Sequence, residues 1–188
     1  MYTLHVVPHT HWDREWYFPF QTFRFRLVRL AETLLEILEA QPDYRAFTLD
    51  GQAVILEDVA DVRPDLAERL RRHIREGRIL VGPWFILPDE FLVSPEALVR
   101  NLLLGDCICR AWGGKMDLGY LPDTFGHIAQ LPQLLRGFGI ETVMFARGGG
   151  DAPTEFRWAA PDGSEVLACH LRDHYAVSYT HLTLPTKA

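Results

Sequence analysis

The sequence predicts an α/β fold in which a parallel sheet begins to form a barrel. Short apolar runs typical of buried strands alternate with longer amphipathic runs typical of helices. Such alternation favours a parallel sheet or barrel with right-handed crossovers. The chain has 188 residues, enough for one domain with a sizeable core but short for a complete barrel of this class. We therefore expect the amino-terminal part of an incomplete parallel β/α barrel-like domain.

The first strands and the first helix follow from the apolar pattern. Residues 4–8, with the sequence LHVVP, predict a buried strand, and residues 46–49, with the sequence AFTL, predict the next one. Between them, residues 24–40 have the apolar period of an amphipathic helix. The apolar stripe of this helix consists of Leu27, Leu30, Leu34 and Leu38.

Proline, serine and glycine mark the ends of the next helices. One helix is expected to begin at Pro64, a favourable first-turn position, and to end at Gly77. A strand follows at residues 78–82. Ser94 is then expected to cap a helix that has Pro95 at its first position.

Two further strands and a helix complete the alternation. The strands are predicted at residues 116–121 and 141–146, with a helix around residues 131–139 between them. Residues 156–171 predict a β-hairpin, because Asp162-Gly163 is a turn sequence between two runs of strand-forming residues.

The composition excludes several classes of partner. The formal net charge is -6, so no basic surface is expected that would bind nucleic acid or an anionic membrane. A neutral or polar substrate fits this charge better. No basic segment with a long apolar stretch opens the chain, and we therefore expect a cytoplasmic protein without a membrane span. The three cysteines are expected to be reduced and mostly buried.

Polar residues follow several of the predicted strands. His9, His11 and Asp13 come after the first strand, Asp123 after the fourth, and Arg147 after the fifth. In parallel β/α folds the ligand site lies at the carboxyl ends of the strands. We therefore expect these side chains to converge on one rim of the sheet.

The spacing of His11 and Asp13 indicates a metal site. In an extended segment residues i and i+2 point the same way, so one imidazole nitrogen and one carboxylate oxygen can face the same ion. Asp123 at a neighbouring strand end is the candidate third ligand. One imidazole with two carboxylates suits zinc or a similar divalent ion. Trp16 fits two roles equally well, capping the core or stacking on a sugar ring.

Two separated motifs carry a resemblance to a known family. The segment PHTHWDREWY, followed by GYLPDTFGHIAQLPQLLRGFGI, resembles the family 38 glycoside hydrolases, the metal-dependent retaining α-mannosidases. The chain is most similar to the bacterial branch, which includes mannosylglycerate hydrolases, and shares LDGQ, GPW and VRNL with it. The similarity extends to about residue 170, which covers nearly the whole chain.

The resemblance implies a role for each matching residue. It implies that His11 and Asp13 bind one divalent ion, with zinc the expected metal, and that Asp123 is both a metal ligand and the catalytic nucleophile. His9 matches a family histidine that is not a ligand. The residues expected to contact the substrate or lie beside the nucleophile are Trp16, Phe125 and Arg147.

The resemblance also implies an activity. The expected reaction is hydrolysis of α-mannosidic bonds through a glycosyl-enzyme intermediate on Asp123, with a mannose-containing carbohydrate as the substrate. Asp50 and Trp84 lie in matching stretches but receive no role. His127 is expected to form hydrogen bonds that orient the loop after Asp123. Homo-oligomerisation of the full-length protein is left open.

The end of the chain predicts that the sequence is a fragment. Residues 1–176 fit the amino-terminal part of the catalytic β/α domain, whereas residues 177–188 include VSYTHLTLPT, which resembles a translated sequencing adapter. We expect the general acid and a further metal-binding histidine beyond Ala176. The fragment alone is therefore expected to be inactive.

Three alternative functions stay open on the residues alone. A mannosylglycerate hydrolase of the same family would need a cationic partner for the carboxylate of its substrate. A metal-dependent polysaccharide deacetylase would also combine histidine and aspartate on a β/α scaffold, but would form no glycosyl intermediate. A non-catalytic sugar-binding module would keep Trp16 and Phe125 and would have no need of Asp123.

Overall fold

The chain is divided into two compact units. The computed structural model describes residues 5–176, so the segment predicted to be a non-native tail, residues 177–188, lies outside the described residues. The first unit comprises Met1–Ile86 and Asn101–Met116, and the second comprises Leu87–Arg100 and Asp117–Ala188.

The first unit is built from a parallel strand pair and helices. In chain order its elements are α1 (Phe20–Ala40), β1 (Phe47–Gln52), α2 (Val54–Val62), a 3-10 turn (Pro64–Leu66), α3 (Ala67–Arg75) and β2 (Ile79–Trp84). β1 and β2 pair in parallel. A helix over Pro95–Trp112, α4, includes residues of both units, and its first turn is capped as expected because the Ala97 N–H donates to Ser94 Oγ at 3.2 Å.

The core of the first unit confirms the helical stripe of α1. Leu27, Leu34 and Leu38 are buried in it, and Leu30 packs against it half-buried. The cluster continues through apolar side chains of β1, α2, α3, β2 and the end of α4. Burial of these side chains removes apolar surface from water, which is the main favourable term in folding.

The second unit contains a four-stranded sheet and one short helix. The strands are β3 (Gly119–Leu121), β4 (Thr142–Phe145), β5 (Glu155–Ala159) and β6 (Glu165–His170), and the helix is α5 (Leu131–Gly137). The strand order is β3-β4-β6-β5, with β3, β4 and β6 parallel and β5 antiparallel to β6. The predicted hairpin is confirmed, and Gly163 adopts a φ of +85° in its turn.

The structure confirms the α/β class with parallel strands and corrects several details. The described strands form two sheets, β1-β2 and β3-β4-β6-β5. The predicted buried strand at residues 4–8 is wrong where the structure describes it, because residues 5–8 lie outside the strands and Val6 and Val7 are 67% and 64% exposed. Helix α2 was not predicted, since its first residues continue the strand-like apolar run of β1.

The cysteines differ partly from expectation. All three are free, but only Cys109 is buried, whereas Cys107 is exposed and Cys169 is half-buried. Burial raises the pKa of the Cys109 thiol to about 12. This thiol is therefore neutral at physiological pH and behaves as a small apolar side chain.

Helix length and polarity bear on the membrane prediction. None of the helices in residues 5–176 is both long and apolar enough to cross a membrane. Even α1, with 21 residues, carries charged side chains such as Arg26, Arg29 and Glu36. The cytoplasmic location stays a prediction.

Candidate functional site

The segment that carries His11 and Asp13 lies beside β1. The Thr48 N–H donates to the Pro8 carbonyl at 2.9 Å, and the Thr10 N–H donates to the Thr48 carbonyl at 3.1 Å. His9 thus forms an isolated parallel bridge with Thr48. This pairing brings the residues after His9 to the carboxyl end of β1, where a parallel β/α fold presents its ligands.

His11 and Asp13 meet the requirements of two ligands on one ion. His11 Nε2 lies 3.6 Å from Asp13 Oδ1, and their side chains are 12% and 40% exposed. Two such atoms bound tetrahedrally to one zinc ion would be about 3.4 Å apart. An imidazole nitrogen and a carboxylate oxygen are both common zinc ligands. The donor set therefore fits a divalent ion.

The predicted third ligand belongs to the other unit. Asp123 lies in the second unit, whereas His11 and Asp13 lie in the first. Within residues 5–176, no group of three or more His, Cys, Asp and Glu side chains is assembled in a way that could hold a metal. The convergence of Asp123 with the other two ligands stays a prediction.

Trp16 is 74% exposed. Its only described ring partner is Tyr17, at a centroid distance of 5.1 Å in an edge-to-face arrangement. Of the two roles that the sequence left open, capping the core is therefore wrong. An exposed indole leaves a flat apolar surface that could pack against the apolar face of a sugar.

The segment after Asp13 is anchored by Arg14. Its Nε and Nη2 atoms donate to the two carboxylate oxygens of Asp58 in α2, at 2.7 and 2.8 Å. This hydrogen bonding raises the pKa of the Arg14 guanidinium above its usual value. The Arg14 guanidinium also lies 4.5 Å from the centroid of the Phe20 ring. The sequence does not reveal this pair, since no local spacing connects the two residues.

Asp123 and Arg147 are brought together by strand register. Leu121 of β3 pairs with Phe145 of β4, and each of the two charged residues follows its strand at the same offset. Arg147 Nε and Nη2 both contact Asp123 Oδ1, at 2.8 and 2.6 Å. The parallel pair thus presents a carboxylate and a guanidinium at one edge of the sheet, as the resemblance implied.

Phe125 extends from the same loop as Asp123. It is 67% exposed, and the Arg147 guanidinium lies 4.5 Å from its ring centroid. The Phe125 N–H donates to Asp89 Oδ1 at 3.2 Å, which ties the loop to the segment before α4. Arg147 therefore contacts both the carboxylate and the aromatic ring that the sequence assigned to the site.

His127 is held between a buried carboxylate and a backbone carbonyl. Its Nδ1 lies 2.8 Å from Glu90 Oε1, and its Nε2 lies 3.1 Å from the Arg147 carbonyl oxygen. The other Glu90 oxygen accepts the Ile128 N–H at 2.8 Å. These contacts confirm the expected orienting role of His127, and they join the loops that carry Asp123 and Arg147.

Two glycines after β4 allow close packing beneath this site. A side chain at Gly148 would approach the backbone of Gly126 at 3.1 Å, and the φ of Gly148 is +83°. A side chain at Gly149 would lie 2.4 Å from the His170 ring. Packing therefore requires glycine at both of these positions.

Glu90 is the main residue of this region that the sequence analysis left without a role. Its side chain is fully buried, and it is the carboxylate partner of His127. The sequence offered one signal for this role, since Glu90 directly precedes the apolar residues before the Ser94 helix cap. A carboxylate in such an apolar stretch is rarely buried unless it is paired. Trp84, also without an assigned role, is fully buried and belongs to the core.

Replacing Glu90 with alanine is expected to destabilise the chain by about 2–4 kcal/mol, because it leaves a buried histidine and a backbone N–H without their acceptor. Urea unfolding followed by circular dichroism measures this loss. Glu96→Ala is the matched control: Glu96 pairs with Arg100 on the surface of α4, and its loss should cost under about 0.5 kcal/mol. Equal effects of the two substitutions would contradict the assigned role of Glu90.

Comparison with known proteins identifies the family of this chain. Residues 1–184 match the family model described as the glycosyl hydrolases family 38 N-terminal domain. A Halalkalibacterium halodurans protein provisionally named mannosylglycerate hydrolase is 42% identical, over 93% of this chain and 21% of its own length. Alpha-mannosidase 2C1 of Homo sapiens is 33% identical, over 88% of this chain and 16% of its own length.

A solved structure has a similar fold. The crystal structure of an alpha-mannosidase from Enterococcus faecalis is 37% identical and superposes with a TM-score of 0.86, over 90% of this chain and 20% of that chain. The chain therefore spans about a fifth of the length of these relatives. With the family model matched over nearly all of its residues, the chain belongs to the family of glycosyl hydrolase family 38 N-terminal domains.

Proposed function

We propose that this chain carries the nucleophile and part of the metal site of a retaining α-mannosidase. The observation that carries the proposal is the Asp123–Arg147 pair at adjacent ends of two parallel strands. A retaining glycosidase needs one carboxylate held in position to attack the anomeric carbon. The two contacts from Arg147 to Asp123 Oδ1 restrict rotation of that carboxylate, which favours a single direction of attack.

The divalent ion would be held by His11, Asp13 and Asp123, and zinc is the metal that these donors favour. A bound ion would stabilise negative charge beside the nucleophile and hold adjacent sugar hydroxyls. The spacing of His11 Nε2 and Asp13 Oδ1 supports the first part of this assignment. The third ligand rests on the family motif.

In the first step, an oxygen of Asp123 forms a bond to the anomeric carbon as the bond to the leaving oxygen breaks. A general acid, which we place in the part of the protein that follows this chain, transfers its proton to the leaving oxygen. In the second step, water attacks the anomeric carbon of the glycosyl ester and gives one proton to the same group. Asp123 is thereby released as a carboxylate, and the sugar keeps its anomeric configuration.

The substrate is expected to be a mannose-containing carbohydrate. The names of the human and Enterococcus faecalis relatives support mannose, and the exposed rings of Trp16 and Phe125 offer apolar surfaces for a sugar. A mannosylglycerate hydrolase is the second candidate, because a relative with 42% identity carries that provisional name. Comparing kcat/KM for mannosylglycerate and for aryl α-mannosides distinguishes the two.

We further propose that residues 1–176 form the amino-terminal part of a longer catalytic domain. The chain spans about a fifth of the length of its relatives, which agrees with this assignment. The proposal that residues 177–188 derive from an adapter is tested by the nucleotide sequence. Related reads that continue with coding sequence unlike an adapter would contradict it.

The nucleophile is tested by trapping it in the full-length protein. A fluorinated mannoside that forms the glycosyl ester but hydrolyses slowly should label the peptide containing Asp123, as measured by mass spectrometry. The Asp123→Asn variant is the control and should remain unlabelled. A label on another carboxylate would contradict the nucleophile assignment. If the protein acquires no label but releases acetate from an acetylated sugar, the deacetylase is favoured instead.

A further inference from the structure

The end of β1 holds the backbone on both sides of Trp12, the residue between His11 and Asp13. The Trp12 N–H donates to Asp50 Oδ2 at 2.8 Å, and Gln52 Nε2 donates to the Trp12 carbonyl at 2.5 Å. The first bond fixes the peptide that joins His11 to Trp12. The second fixes the peptide that joins Trp12 to Asp13.

Asp50 and Gln52 are themselves buried and joined to each other. Asp50 is fully buried and Gln52 is 2% exposed. Gln52 Nε2 also donates to Asp50 Oδ2 at 2.7 Å, and the Gly51 N–H donates to Asp50 Oδ1 at 2.6 Å. A buried carboxylate is costly unless it is hydrogen-bonded, and these donors hold Asp50 in one position.

Asp50 also faces the imidazole of His11. Its Oδ2 lies 3.6 Å from His11 Nδ1, while Nε2 on the other side of the ring lies 3.6 Å from Asp13 Oδ1. A separation of 3.6 Å is too long for a hydrogen bond. The hydrogen bonds of Asp50 are those from the Trp12 and Gly51 N–H groups and from the Gln52 side chain.

We propose that Asp50 and Gln52 are positioning residues that preorganise His11 and Asp13 to bind a divalent cation. This inference rests on the proposed function, because it concerns the same metal site. Some residues orient metal ligands without contacting the ion. Removing such a residue typically lowers metal affinity about 10- to 100-fold. Fixed peptides on both sides of Trp12 reduce the ordering that the two ligands would otherwise undergo on binding.

The test is a zinc titration of the full-length protein by calorimetry with a competing chelator, because a further metal-binding histidine is expected beyond Ala176. Asp50→Asn keeps the shape of the side chain but adds an N–H₂ group where three donors already converge. We expect it to weaken zinc binding about 10- to 100-fold. Gln52→Met removes the donor to the Trp12 carbonyl with little change in volume, and we expect at least about a threefold loss, below that range because Asp50 remains.

Asp58→Asn is the matched control. Asp58 is another buried carboxylate, 5% exposed, and it holds Arg14, the residue after Asp13, without contacting the Trp12 backbone. We expect this variant to lose stability in urea while its zinc affinity changes by less than about threefold, as for a group outside the ligand shells. An equal loss of affinity in Asp50→Asn and Asp58→Asn would reduce the role of Asp50 to general stability and overturn the inference.

His11→Ala separates this inference from the proposed function. Loss of zinc binding in His11→Ala, with unchanged binding in Asp50→Asn and Gln52→Met, would overturn the positioning role alone. Unchanged binding in His11→Ala, or no binding by the unaltered full-length protein, would overturn the proposed metal site and the positioning role together. If Asp50→Asn does not fold, the Gln52→Met result decides, and unchanged zinc affinity there overturns the inference.

Discussion

Replacing Asp123 with alanine in the full-length protein is expected to lower kcat by about three orders of magnitude or more, since the substitution removes both the attacking carboxylate and a proposed metal ligand. It also leaves Arg147 without its carboxylate partner at the end of β4. Steady-state hydrolysis of an aryl α-mannoside measures the loss. Circular dichroism should show that the variant is folded, because Asp123 is a partly exposed residue after a strand and not part of the core.

The control for this variant is Asp151→Ala. Asp151 is an exposed carboxylate in the loop after Arg147, and its loss should leave kcat within about twofold, as is usual for surface positions. A kcat for Asp123→Ala above about a tenth of the original value would mean a barrier change under ~1.4 kcal/mol. That outcome would exclude Asp123 as the nucleophile.

The second large effect concerns the 188-residue chain itself, which is expected to hydrolyse no aryl α-mannoside. Protonation of the leaving oxygen by a positioned acid typically contributes about 10²- to 10⁴-fold to the rate. Three carboxyl groups of the described residues, those of Asp50, Asp89 and Glu90, could be considered for that acid, but each already makes other contacts. Asp50 and Glu90 are buried and hydrogen-bonded, and Asp89 accepts the Phe125 N–H.

The measurement compares the purified chain with the full-length protein, in the presence of zinc and with a matched amount of folded material. Release of the aryl group by the full-length protein alone is the expected result. Turnover by the chain, abolished by a chelator, would contradict it and would mean that the acid lies among residues 5–176. Alanine variants of Asp50, Asp89 and Glu90 would then identify it.

Individual elements show how far local patterns determine this structure. The cap at Ser94 and the turn at Asp162-Gly163 were predicted correctly because hydrogen bonds and backbone conformations within a few residues decide them. Helix α2 was not predicted because its first residues are apolar and directly follow a strand. The periodicity of a short apolar run cannot distinguish a buried helix from a longer strand. The strand at residues 4–8 was predicted from its apolar character alone, but burial of Val6 and Val7 depends on what covers them.

The sequence by itself determined the family and the α/β class, and it predicted His11, Asp13, Asp123 and Arg147 as site residues, since separated motifs and strand-end positions can be read along the chain. Only the tertiary structure decided their partners. The register between β3 and β4 places Arg147 beside Asp123. The packing of the chain also brings Asp50 to Trp12, although the two residues are 38 positions apart in sequence. Contacts between residues so distant in sequence depend on how the whole chain packs, and no local period or propensity encodes them.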